Sequence, residues 1–298
     1  MTVLPRKEVD SPKSISPLDN SAIQRLHSVK TTFVIGLPRS GTTLLAYMLA
    51  GGDGVLSLSE PFLSHSARRY RLLNCLYFPK IRKYRINPPQ DCNEKDFLNY
   101  LKGFSKNIGL SSLIIKETYR LAPYLENRAL MNYIAICGDP VAAIMRHPYD
   151  TATSTLMWAR HQLQGVPGIV NRIMVSSFPK FSDDRQVVEW FARNWLSFSD
   201  WCKRTRPFVI RYEDLVRNPG PSLEELCERC TIPFTQKMLD NNHIRFFSGM
   251  SGDPGGMNKH RKKLNVRPVG QSDHLKPEFL DIIKTICGEA AEEMGYSL

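Results

Sequence analysis

Several things are scarce in this sequence, and each scarcity closes a possibility. No window holds the ~18 apolar residues of a membrane span. Residues 1–28 contain no apolar run of signal-peptide length. A cytoplasmic protein without a membrane partner is therefore expected, a catalytic fragment cut from its anchor being the alternative. Cysteine is present seven times, at 75, 92, 137, 202, 227, 230 and 287, an odd number in a chain of 298 residues. That argues against a disulfide framework. Cys227 and Cys230 make a lone C-x-x-C with no second ligand pair behind it, so buried thiols are expected there in place of zinc. Negative charge is also short: 29 Asp and Glu stand against 40 Lys and Arg, a formal charge of +11 with His neutral. Such a balance points to an anionic partner, and charge alone leaves nucleic acid, a membrane surface, an acidic polymer and a nucleotide open.

What is present reads as one soluble globular protein. The 42% hydrophobic and 23% charged fractions are ordinary, and no internal repeat or interdomain linker is visible. Residues 1–28 form a flexible lead-in and 29–298 a single domain. Residues 31–35 (TTFVI) are a β-branched and aromatic run that stops at Gly36, a buried strand. Residues 42–50 then read as a helix ended by Gly51 and Gly52. The strand signal returns at 113–116, 141–145 and 208–212. Helices are expected over 121–136, 149–164, 187–204, 222–230 and 277–294. In the third of these, Val188, Phe191, Trp195, Phe198 and Trp201 recur at helical spacing and are expected in the core. Alternating strands and helices predict an α/β fold with a parallel sheet. Residues 64–110 read as a basic, irregular insertion and 166–186 as a loop, both placed where specificity would lie.

The loop between the first strand and its helix is the string GLPRSGTT, from Gly36 to Thr43. Backbone N–H groups and the positive end of the helix surround an anion at such a place, and glycine permits the tight turn. The layout is G-x-x-x-x-G-K-[ST] with one change: Thr42 stands where the Lys should be. In ATP and GTP enzymes that Lys reaches the β- and γ-phosphates and the next hydroxyl binds magnesium. Nor does a hydrophobic strand end in a magnesium-binding Asp. The loop suits a ligand with one 5'-phosphate group.

Pro38 to Thr43 (PRSGTT) resembles the 5'-phosphosulfate loop of sulfotransferases that use 3'-phosphoadenosine 5'-phosphosulfate (PAPS). Two further segments follow in the family's order. Arg146 to Ser154 (RHPYDTATS) is similar to its 3'-phosphate segment, an Arg at a strand end and a Ser eight residues on. Arg211 to Pro219 (RYEDLVRNP) looks like its R-Y-E-D-L segment. A fourth, weaker likeness starts at Gly252-Asp253-Pro254 and runs through basic residues to Arg267, like the loop that covers the cofactor. The likeness spans roughly residues 30–270. Arg39, where cytosolic members carry Lys, is what Golgi-type, tyrosylprotein and many bacterial members have.

The resemblance implies an α/β, P-loop-like three-layer fold, a central parallel sheet flanked by helices, with PAPS as donor and PAP as product. It implies that Arg39, Ser40, Gly41, Thr42 and Thr43 bind the 5' side, and that Arg146 and Ser154 bind the 3'-phosphate together with a C-terminal basic residue, of which Arg261 and Lys262 are the choice among several. Tyr212 would lie near the adenine, with Glu213 and Asp214 as charges at a helix N-terminus. Arg39, Glu60 and Lys116 would be catalytic. Two departures matter. The position after the Thr pair is Leu44, where cytosolic members stack a Trp on adenine. Lys116-Glu117-Thr118 lacks the His those members use as base. Glu60, 21 positions after Arg39, matches the place of the catalytic Glu in tyrosylprotein sulfotransferases, with helix capping or salt bridging as its other reading; His65, His147 and His161 are its rivals.

The acceptor expected is a small molecule, such as a natural product, carrying a hydroxyl or amine. The basic residues Arg68, Arg69, Arg71, Lys80, Arg82, Lys83 and Arg85 keep an anionic polymer, carbohydrate or peptide, as the alternative. Three other classes compete. A P-loop kinase would need magnesium. A nucleic-acid-binding module would show strongly salt-dependent affinity, and no nucleic-acid motif is present. A PAPS-binding protein without turnover would keep the same clamps.

Overall fold

A computed structural model describes residues 29–59, 75–76, 94–119, 131, 134, 137–163, 181–240, 270 and 272–298. The elements, in chain order, are β1 (Lys30–Gly36), α1 (Thr42–Ala50), β2 (Val55–Ser59), β3 (Cys75–Leu76), α2 (Glu94–Asn107), β4 (Ser112–Thr118), β5 (Val141–Met145), α3 (Pro148–Leu163), α4 (Asp184–Thr205), β6 (Phe208–Arg211), α5 (Tyr212–Arg217), α6 (Pro219–Cys230) and α7 (Pro277–Glu293). Among the described residues no helix is long and apolar enough to cross a membrane.

The strands join in one sheet of order β3-β2-β4-β1-β5-β6. Five of them are parallel, and the two-residue β3 runs antiparallel on the β2 edge. Both faces are covered, which is why residues 33–35, 113–115 and 141–145 are continuous apolar runs. Alternate residues feed two cores. Phe33, Ile35, Leu113, Ile115, Ala143 and Met145 face the side built by α2, α3, α4 and α7. Val34, Ile114, Ala142 and Ile144 face α1, α5 and α6. This is a three-layer α/β fold. The five aromatic and aliphatic positions expected in α4 are all at most 4% exposed. That helix begins at Asp184, with the Asp183 carboxylate accepting from the Gln186 N–H at 2.8 Å and the Gln186 side chain accepting from the Ser182 N–H at 3.1 Å, a reciprocal cap.

The structure corrects the sequence reading in places. Residues 64–110 are not irregular throughout: β3 pairs with β2, and α2 buries Phe97, Leu98, Leu101 and Phe104, spaced for one helical face. Residues 55–59 are a strand that the sequence reading passed over. Helix α6 starts at Pro219, three residues before the expected 222, because Pro at the first helical turn costs no hydrogen bond. The strand expected over 208–212 stops at Arg211, and Tyr212 opens α5. The helix expected over 121–136 lies almost wholly outside the described residues.

The topology marks one place for a ligand. From β1 the chain crosses to β2, beyond β4; from β5 it crosses the other way, to β6. Adjacent parallel strands whose connections leave in opposite directions open a crevice at their carboxyl ends. That crevice lies between Gly36 and Met145.

Candidate active site

The loop 37–41 sits at the mouth of this crevice. Its tight path needs glycine at two positions. A Cβ on Gly36 would come within 2.7 Å of the Ile144 carbonyl oxygen on neighbouring β5. Gly41, at φ 101°, would drive a Cβ to 2.5 Å from the Tyr212 ring. Ser40 closes the turn, its N–H and its hydroxyl both donating to the Leu37 carbonyl at 3.2 and 2.7 Å. Arg39 also has a positive φ, 71°, unusual for a residue with a side chain. Helix α1 starts at Gly41 without a side-chain cap and with no acid in its first turn. Its first N–H groups and the positive end of its dipole therefore meet no carboxylate of their own, a setting suited to an anion. Thr42 is buried and Thr43 half-buried at that end.

Two arginines, one on the loop and one beneath it, come together here. Arg39 donates from Nε to Ser154 Oγ, 3.2 Å away on α3. Arg146, at the end of β5, is 1% exposed and lies beneath, its Nη1 donating to the Arg39 carbonyl at 3.4 Å. Met145 and Arg211 are register partners on β5 and β6, so Arg146 and Tyr212 leave the sheet side by side. The Arg146 guanidinium accordingly stacks on the Tyr212 ring, 4.4 Å from its centroid. Asp150, one helical turn on, faces Arg146 at 4.0 Å and accepts the Gly270 N–H at 2.9 Å.

The predicted residues thus fall into groups. Arg39, Ser40, Gly41, Arg146, Ser154 and Tyr212 are brought together. Tyr212 is 3% exposed, its ring spent on Gly41 and Arg146. Lys116 lies two residues inside the carboxyl end of β4, in register with Val34 of β1 and with Ser59, the last residue of β2. It is 5% exposed and donates to Thr118 Oγ1 at 3.2 Å. Glu60 follows Ser59 directly but lies outside the described residues, as do Arg261, Lys262, His65 and the basic positions 68–85. His147 points away, to the C-terminal residues, its Nε2 3.0 Å from the Ser297 carbonyl. Glu213 and Asp214 occupy the first turn of α5.

Sequence reasoning missed Asp150, whose i+4 spacing from Arg146 was legible, and the supporting roles of Trp195 and Tyr296, which arise only in three dimensions. The Trp195 indole donates to the Arg146 carbonyl at 3.1 Å.

The family model described as sulfotransferase domain matches residues 30–295. No curated protein sequence matches the chain. Among solved structures, the sulfotransferase domain of the Synechococcus PCC 7002 olefin synthase is 20% identical, with 91% of this chain and 96% of that one covered and a TM-score of 0.50. The sulfotransferase domain from the curacin biosynthetic pathway is 20% identical over 91% and 99%, at 0.47. A mouse sulfotransferase complexed with PAP is 15% identical over 91% and 90%, at 0.48.

Proposed function

The chain belongs to the sulfotransferase domain family, and on that premise we propose that it transfers a sulfonate group from PAPS to a hydroxyl or amine of a small-molecule acceptor. The observation that carries the reading is the convergence of Arg39, Ser154 and Arg146 on an uncapped helix N-terminus whose loop has Thr42 in place of the NTPase lysine. A nucleotide with phosphate on both the 5' and 3' sides asks for two separate cationic contacts, and two arginines held by different elements supply them.

The donor supplies an activated sulfonate. The α1 N–H groups, with Thr42 and Thr43, hold the 5'-phosphate, and Ser40 keeps the turn in shape. Arg39, on the loop itself, stabilises negative charge on the oxygen left behind as the S–O bond breaks. Lys116 adds a second positive charge from β4. Arg146, with Ser154, takes the 3'-phosphate, and Arg261 and Lys262 are assigned to the same group from the C-terminal segment. Glu60 takes the proton of an acceptor hydroxyl, and proximity provides much of the rate. The protein works from the cytoplasm in this reading, and residues 29–298 act as one domain.

The test is to incubate the protein with PAPS, EDTA and a panel of phenols, alcohols and amines, following PAP release. Acceptor-dependent release without magnesium supports the reading. Acceptor dependence seen only with sulfated or carboxylated polymers replaces the small molecule by a polymer. No release with any acceptor, alongside phosphate transfer from ATP and magnesium, overturns it.

A further inference from the structure

The peptide group joining Arg146 to His147 is gripped at both ends. Its carbonyl accepts from the Trp195 indole at 3.1 Å, and its N–H donates to Glu213 Oε1 at 2.8 Å. A peptide plane held at oxygen and nitrogen fixes the direction in which the preceding Cα sends its side chain. Here that side chain is the Arg146 guanidinium.

Both grips lead to one residue near the end of the chain. Tyr296 is 2% exposed. Its hydroxyl donates to Glu213 Oε2 at 3.3 Å, and its ring meets Trp195 edge-on with 6.0 Å between centroids. The remaining sides of the ring are taken by the Arg211 guanidinium at 4.3 Å and by the His147 ring at 5.6 Å. These separations are those of productive aromatic and cation contacts. His147 is itself tied to the same segment. The Tyr149 N–H donates to its Nδ1 at 3.3 Å, so Nε2 carries the proton and donates it to the Ser297 carbonyl at 3.0 Å. Burial and the neighbouring Glu213 push the Tyr296 phenol well above its ordinary pKa, so the hydroxyl stays a donor.

We propose that Tyr296 is a positioning residue for recognition of the donor's 3'-phosphate, acting through Glu213 and Trp195 on the Arg146–His147 peptide. It touches no reacting atom. Its part is to hold the two groups that hold the peptide from which Arg146 projects. The proposal rests on the reading that Arg146 meets the 3'-phosphate.

PAP and AMP, which differ by the 3'-phosphate, separate a positioning role from a structural one. Tyr296→Phe keeps the ring and loses the hydroxyl. It is expected to raise the Kd for PAP by roughly three- to tenfold, in the lower part of the range seen for coupled neighbours, with the Kd for AMP unchanged and with KM for the donor moved more than kcat. Glu213→Ala should do the same, while Glu213→Gln, which keeps an acceptor for the His147 N–H, should recover most of the loss. Tyr296→Leu removes the ring as well and should lose more; if it does not fold, the Phe variant decides. Unchanged PAP binding in Tyr296→Phe, or equal weakening of PAP and AMP, overturns the proposal. Failure of its premise looks different: the wild-type protein shows no preference for PAP over AMP, or Arg146→Ala keeps that preference, and the proposal falls with it.

Discussion

Arg39 and Ser154, 115 positions apart in the chain, are joined by a 3.2 Å hydrogen bond from the guanidinium Nε to the serine hydroxyl. The bond couples the loop that follows β1 to the helix that follows β5, and therefore couples the two sides of the crevice. Ser154→Ala removes the acceptor and leaves the helix intact. A hydrogen bond to a charged group contributes about 1.5–3 kcal/mol, so the variant should melt a few degrees lower, and, with Arg39 no longer held, kcat/KM for the donor should fall about tenfold or more. Steady-state kinetics alongside a thermal melt check this.

Arg39 adopts φ 71° although it carries a side chain. The left-handed region costs such a residue about 1–2 kcal/mol that glycine does not lose. Arg39→Gly should therefore melt above Arg39→Ala by a few degrees, while both lose sulfonate transfer. The comparison separates the stability of the loop from its chemistry, since the substitution that best relaxes the backbone also deletes the charge. Equal melting temperatures would count against strain at this position.

Gly36→Ala should be among the most damaging single changes in the sheet. The added Cβ meets a backbone oxygen, that of Ile144, at 2.7 Å, and backbone cannot turn aside as a side-chain tip can. Overpacking of this kind costs about 1–3 kcal/mol and should widen the crevice between β1 and β5. Chemical denaturation would show the lost stability, and PAP binding should weaken with it.

Four buried thiols carry a pH signature. Burial pushes Cys202, Cys227 and Cys287 up to about 12 and Cys230 up to about 11. A thiol whose pKa is raised by folding binds its proton more tightly in the native state. Its contribution to stability is complete below the unfolded value, near 9, and is lost as pH rises toward 11–12. Native protein at pH 8 should leave these four unlabelled by iodoacetamide, with labelling appearing in urea. Stability measured by denaturant melts should fall steadily above pH 9. Rapid native labelling of any of the four would contradict the burial.

Much of this was legible in the sequence because it is local. The run at 31–35, the glycine turn and the helix after it are set by neighbours a few residues apart, and the structure places them as read. The same holds for the α4 face, where five large apolar residues keep helical spacing. Strand β2 escaped notice because Ser57 and Ser59 dilute its apolar residues, and its burial comes from pairing with β4. Helix α2 was hidden for a similar reason: Lys, Asp and Asn surround the face of Phe97, Leu101 and Phe104, and the polar Ser105 is buried beside them. The site divides along the same line. Gly36 and Gly41 announced themselves by spacing, Arg39, Arg146 and Ser154 by their resemblance to the family's segments, and i+4 spacing would have given Asp150. Trp195 carried only a core signal, and Tyr296 carried none, since the partners of its side chain lie 83 or more residues away.

The central claim is that the crevice between β1 and β5 takes a nucleotide bearing both a 5'- and a 3'-phosphate. Thermal stability followed during titration with PAP, AMP, and ATP with magnesium tests it most directly. A ligand that binds only the folded state adds about 2.7 kcal/mol of stability at a hundredfold excess over its Kd. The account predicts a clear upward shift with PAP, a smaller one with AMP, and loss of the difference in Arg146→Ala. No shift with PAP, together with one from ATP that requires magnesium, would contradict it.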